Sequence, residues 1–264
     1  MCIRDSSGTA ITQIDEDFFS RNTELTDCSI IFSNGKLKTV PEKLFANNKK
    51  VTTFNSLFAN SESFESVPAG LFANNPEVDS FRMLFSGTSL KSVPDGLFAN
   101  NHKVTNFQSA FSKTAIQSVP ADLFAGCGKV TTFMSCFTGC SELQSVPAEL
   151  FKSSGAFTTV TKTAFNNIFK DCTSLTEVPA GLFDGFTLVT AFNDAFNGCA
   201  SLTTLPAGLF ATNTAVTSFT NVFKGCTSLK SIPEGVLGGL SKVTSFSGLF
   251  AGCTGLEELS LIHI

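Results

Sequence analysis

Nine cysteines and two histidines carry most of the chemical potential of this chain. Five of the cysteines, Cys140, Cys172, Cys199, Cys226 and Cys253, recur at steps of 32, 27, 27 and 27 residues. In an array of equal coils such residues stack, and parallel backbones lie about 4.8 Å apart, inside the Cα separation that a disulfide tolerates. Three states are open to the column: buried free thiols, occasional disulfides, or a metal site. Ser61 or Thr88 fills the position elsewhere, so it calls for a small residue tucked inward. Free cysteine is among the most buried of side chains, which makes a structural column of buried thiols the expectation. Cys127, Cys136 and Cys140 lack the C-x-x-C spacing of a zinc site, and no metal or other cofactor is expected. His263 sits in the last residues and His102 stands beside Lys103 in a polar stretch, leaving Cys–His or Ser–His catalysis without a base. The carboxylates show no recurrent pairing suited to general acid–base work, and no glycine-rich phosphate loop occurs. Enzymatic activity is not expected.

The column must be positioned by a repeat. Pro41, Pro68, Pro94, Pro120, Pro147, Pro179, Pro206 and Pro233 follow one another at steps of 27, 26, 26, 27, 32, 27 and 27 residues, and a degenerate copy places Asp15 26 residues before Pro41. Nine copies without spacers predict one continuous array. Each reads roughly V-T-x-F-x-x-L-F-x-G-C-x-x-L-x-x-V-P-x-G-L-F-A-x-N. Apolar residues at offsets 0, 3, 6 and 7 (Val51, Phe54, Leu57, Phe58) predict one face of a short helix. Leu90 to Val93, or Leu229 to Ile232, predicts a short strand that proline closes into a tight turn, and Asn-Asn or Thr-Asn predicts a polar corner. Neither half buries its apolar side alone, so the coils must stack, strands in a parallel ladder and phenylalanines in continuous spines. The 29 phenylalanines, with no tyrosine or tryptophan, fit a single copied unit. Five extra residues between Pro147 and Pro179, around KSSGAFTTVTKTAFNNIF, predict a bulge from the outer face or a lengthened helix.

Composition is that of an ordered protein, 42% hydrophobic and 15% charged, with a net charge of −4. Without a basic cluster it carries no nucleic-acid footprint, and no apolar run reaches the 18 or so residues that insert across a bilayer. The ends differ from the rest. Back-translated, LSLIHI and MCIRDS are the two strands of one inverted DNA element resembling a transposon-end sequencing adapter. Residues 1–6 and 259–264 are therefore expected to be adapter-derived, and residues 7–258 to be a single solenoid cut within a repeat at both ends.

VTSFTNVFKGCTSLKSIPEGVL (216–237) and VTTFMSCFTGCSELQSVPAELF (130–151) resemble the repeats of BspA-type leucine-rich repeat surface proteins. LKSVPDGLF (90–98) also resembles the L-x-x-L-P phrase of ordinary leucine-rich repeats. The resemblance implies an α/β right-handed solenoid of about nine 26–27-residue coils, strands on one face and short helices on the other. It further implies a cell-surface or secreted protein that binds host, matrix or neighbouring-cell proteins without catalysis, its signal and anchor outside this stretch. The first outward strand positions, Lys38, Glu65, Lys91, Gln117, Gln144, Thr176, Thr203 and Lys230, vary between monotonous neighbours and are the candidate binding face. A targeting stalk of a larger secreted enzyme and an intracellular scaffold are the alternatives.

Overall fold

The computed structural model describes residue 8, residues 10–152 and residues 160–257, and in it each copy of the repeat forms a coil lying against the next. The first half of the repeat is a chain of turns. Leu57 N–H donates to Phe54 O (3.2 Å) and Ser61 N–H to Phe58 O (3.0 Å). The third residue of each turn has a left-handed backbone, Ser56 at φ 55° and Asn60 at φ 58°, as a type II turn requires. The N–H groups of Ser56, Phe58 and Asn60 instead leave the coil and donate to Arg82 O (2.8 Å), Leu84 O (3.0 Å) and Ser86 O (2.7 Å) of the next one.

This arrangement overturns the expected helices, none of which is present among the described residues. An α-helix spends its interior N–H groups on carbonyls four residues back. Here those donors bond between coils, and a left-handed residue recurs every four positions. The apolar pattern is satisfied all the same: Val51, Phe54, Leu57 and Phe58 are fully buried, because a string of turns also returns a side chain inward every third or fourth residue.

Parallel pairing falls at a different place from the one expected. Single bridges join Asp27, Thr53, Ser80, Asn106 and Thr132 in succession, and then Ala191, Ser218 and Ser245. They lie in the V-T-x-F phrase. Over Leu90–Val93 and Leu229–Ile232 no strand forms, because proline removes the donor that would continue the ladder. Two consecutive residues, Lys91 and Ser92, also face solvent between buried Leu90 and Val93, so the two-residue alternation of a strand is absent. Isolated backbone hydrogen bonds remain there, from Glu65 N–H (2.9 Å) and Ser66 N–H (3.3 Å) to Lys38 O and from Lys91 N–H to Glu65 O (3.3 Å). The proline corner is a turn, Leu71 N–H reaching Pro68 O at 3.3 Å.

Phenylalanines fill the interior in stacked columns. Phe58, Phe85, Phe111, Phe137, Phe169, Phe196, Phe223 and Phe250 form one, with successive centroids 5.6–5.8 Å apart. A second runs from Phe54 through Phe81, Phe107 and Phe133 to Phe165 and Phe192. Rings of the proline corner, such as Phe72, Phe98, Phe124 and Phe183, wedge between the columns. One buried cluster extends from Phe19 to Cys253.

The five extra residues divide between two places. Phe124 to Val130 is a step of six and Phe151 to Val160 a step of nine, while Val130 to Phe133 is three and Val160 to Phe165 five. Residues 153–159 of the first group lie outside the described residues. The other two extra residues bulge from the bridge segment: Thr161 takes the donor role and Ala164 the acceptor role that adjacent residues Thr131 and Thr132 hold in the preceding coil. Thr161, Lys162 and Thr163 are exposed, and the run of bridges is interrupted there.

Candidate functional site

All eight residues of the candidate face, Lys38, Glu65, Lys91, Gln117, Gln144, Thr176, Thr203 and Lys230, are exposed. The inter-coil bond that fixes them continues from Gln117 N–H to Lys91 O (3.4 Å), Gln144 to Gln117 (3.0 Å), Thr176 to Gln144 (3.1 Å), Thr203 to Thr176 (3.1 Å) and Lys230 to Thr203 (3.3 Å). Side chains also meet across coils. Lys91 Nζ lies 3.2 Å from Glu65 Oε2, and Gln117 Nε2 donates to Glu142 Oε2 at 3.2 Å. Thr176 and Thr203 Oγ1 each reach the carbonyl of the face residue one coil back, at 3.3 Å. The face is mixed in charge and its one direct ion pair is exposed, so that pair adds little to stability. Beside Lys38 the surface opens into a cleft lined by Gln13, Asp15 and Lys36.

The five cysteines of the column are buried and free. Each thiol faces the same carbonyl one coil back: Cys140 to Phe111 O (3.0 Å), Cys172 to Phe137 O (3.1 Å), Cys199 to Phe169 O (3.2 Å), Cys226 to Phe196 O (3.3 Å) and Cys253 to Phe223 O (2.9 Å). The column continues toward the N-terminus with hydroxyls. Ser61 Oγ donates to Phe32 O (2.6 Å), whereas Thr88 and Thr114 donate to Phe85 O (2.8 Å) and Phe111 O (2.9 Å) of their own coils. Burial pushes the Cys140 thiol up to about 11 and the Cys127 and Cys28 thiols up to about 12, so they are neutral at physiological pH and poor nucleophiles.

Two polar columns escape sequence reasoning. The Asn corner is buried: Asn48, Asn75, Asn101 and Asn213 are fully enclosed. Their Nδ2 groups donate to two carbonyls each of the previous coil, Asn75 for instance to Phe45 O (3.1 Å) and Asn48 O (2.9 Å). Cys127 stands in the same place, its thiol 3.7 Å from Asn101 O. The signal was the 26–27-residue recurrence of the second Asn, masked by the general preference of Asn for exposed turns. On the bridge segment, Thr105 and Thr131 hydroxyls donate to Asp79 O (3.2 Å) and Thr105 O (2.9 Å), tying the V-T phrase across coils.

His102 Nδ1 lies 2.9 Å from Gly126 O at an exposed corner. Among the described residues there is no cluster of three or more potential metal ligands, and no helix long and apolar enough to cross a membrane.

Comparison with known proteins identifies the repeat. The model of the BspA type Leucine rich repeat region matches residues 12–158 and 156–263, in six copies. No curated protein matches the chain. Among solved structures, the leucine-rich repeat domain of the type III effector XopL is 15% identical over 88% of this chain and 71% of its own, with a TM-score of 0.58, a likeness of fold. A leucine-rich repeat protein from Eubacterium ventriosum is 18% identical over 87% of this chain and 62% of its own, with a TM-score of 0.48. A chain of the Drosophila Toll–Spatzle complex is 16% identical over 85% of this chain, with a TM-score of 0.49, and this chain spans 35% of that one. The coil-on-coil packing and a family match over most of its length place the chain in one family: it belongs to the BspA-type leucine-rich repeat proteins.

Proposed function

We propose that this chain is a non-enzymatic protein-binding solenoid of about nine right-handed coils, displayed at a cell surface or secreted, that adheres to host, matrix or neighbouring-cell proteins. Leucine-rich repeat families generally serve protein–protein interaction, and an extended array offers a long surface on a fixed scaffold. The observation that carries the proposal is the contrast within one repeat phrase. Leu90, Val93 and their counterparts are buried and nearly invariant in type, whereas the exposed residues beside them change from lysine to glutamate, glutamine or threonine from coil to coil. Packing fixes the first set and leaves the second free to meet a partner.

The test is the Lys91→Ala, Lys230→Ala double variant in a pull-down against extracellular matrix and surface proteins, with the thermal transition followed in parallel. Both side chains are exposed, so the transition should stay within about 0.5 kcal/mol of the parent while capture falls several-fold. Unaltered capture removes these lysines from the site.

A further inference from the structure

Neighbouring coils are joined along four sides: the turn pairs, the candidate face, the Asn corner and the bridge segment. Only the first two run unchanged through the coil of residues 160–172. On the turn-pair side Phe137 N–H reaches Ile168 O (3.1 Å) and Gly139 N–H reaches Lys170 O (2.7 Å). Beyond that coil, Phe169 N–H reaches Ala195 O (2.9 Å) and Asp171 N–H reaches Asn197 O (2.7 Å). The face keeps its bonds from Thr176 to Gln144 and from Thr203 to Thr176, both 3.1 Å. Phe137, Phe169 and Phe196 also stack without a break, 5.6 Å apart at each step.

The other two sides change in the same place. The succession of bridges stops at Thr132 and resumes at Ala191. Lys162 and Thr163 separate the donor Thr161 from the acceptor Ala164, and the next coil hangs from the bulge itself, Thr190 N–H bonding to Lys162 O at 2.9 Å. In the preceding coils that acceptor is the threonine or aspartate directly after valine, as Thr105 O is for Thr131 N–H (2.8 Å). At the corner, Asn75 and Asn101 each donate twice to the coil before them. Cys127 replaces those bonds with thiol contacts of 3.8 and 3.7 Å, and a thiol is a weak donor. In the corner leading to Ala191 the place belongs to Phe186, whose ring packs on Phe165 at 4.7 Å and whose side chain carries no donor. Asparagine returns at Asn213, bonded to Phe183 O and Phe186 O.

Two bodies held along one edge and loosely tied along the opposite edge rotate about the held edge. We propose that the coil of residues 160–172 is a hinge, with its axis along the turn-pair side and its opening on the corner and bridge sides, and that the Lys162–Thr163 bulge supplies the slack. The phenylalanine columns keep the two blocks in contact as they move. Lys38 to Gln144 of the candidate face lie in the first block and Thr203 and Lys230 in the second, so the hinge would re-aim one part of that face against the other. This consequence rests on the proposed function; the hinge does not, and its test needs no partner.

The experiment measures distances between nitroxide labels on pairs of introduced cysteines by pulsed electron resonance; the native thiols of the described residues are buried. Lys103→Cys with Thr214→Cys marks the corner side and Lys113→Cys with Lys224→Cys the turn-pair side. All four positions are exposed, and each pair lies four coils apart, about 19 Å. The corner-side distribution should be at least twice as broad as the turn-pair one. Excising Lys162 and Thr163 joins Val160-Thr161 to Ala164-Phe165, the same V-T-A-F phrase that stands at 189–192, and should narrow the corner-side distribution. Equal widths for the two pairs in the parent chain overturn the proposal, as does a corner-side width that the excision leaves unchanged.

Discussion

At the scale of the residue, the interior of this protein is lined with small donors, most of which serve a neighbouring coil. Burial raises the thiols from an ordinary value of 9.0, Cys127 to about 12 and Cys140 to about 11. The sign of the pH effect follows. Below pH 9 the thiol is neutral in both states and its contribution is fully present. Between pH 9 and the folded values the unfolded chain releases protons that the folded chain keeps, so stability falls as pH rises. By pH 10.5 each such thiol should cost about 2 kcal/mol. The urea midpoint is expected to drop between pH 8 and 10.5, and a Cys127→Asn, Cys140→Ser double variant, built from residues these columns use elsewhere, should show a shallower drop. Equal slopes would mean that the thiols are not shielded from water.

At the scale of the element, the decisive unit is the pair of turns. Its second left-handed position is glycine in Gly87, Gly139, Gly198, Gly225 and Gly252, and is Asn60, Lys113 or Asp171 in other coils. Gly225 has φ 73°, and a Cβ there would meet only the Gly198 backbone, its Cα and N both at 3.7 Å. The space is adequate and the cost is conformational. Gly225→Asn should therefore cost less than Gly225→Val, because asparagine tolerates the left-handed region while a β-branched residue does not. The alanine variant should fall between them at about 1–2 kcal/mol. Urea unfolding of the three variants checks the order. Equal losses in all three would assign the effect to packing and not to φ.

At the scale of the whole molecule, stability is passed from coil to coil through the phenylalanine columns. Phe137 is fully buried and stacks on Phe111 and Phe169, both at 5.6 Å. Phe250 is half-buried and stacks on Phe223 at 5.8 Å. Phe137→Ala should cost about 3–5 kcal/mol, and Phe250→Ala clearly less, since its ring already gives part of its surface to water. In an array governed by nearest neighbours the first variant should also split unfolding into two phases, as the cavity uncouples the halves. Calorimetry of both variants is the measurement; a single sharp transition for Phe137→Ala would mean that coupling extends well beyond adjacent coils.

The sequence by itself determined the repeat, its 26–27-residue period, the inward apolar residues and the small-residue column. Each follows from periodicity, and burial depends on which residues recur and not on the backbone that carries them. The backbone was decided only by the tertiary structure. Apolar offsets of 0, 3, 6 and 7 fit a helix and a string of turns equally well, and the choice fell to turns because Ser56, Phe58 and Asn60 find carbonyls on the next coil. No local pattern contains that neighbour. The same cause hid the asparagine column: Asn75 is a turn former in isolation and becomes a buried donor only when Phe45 and Asn48 of the adjacent coil present their carbonyls to it.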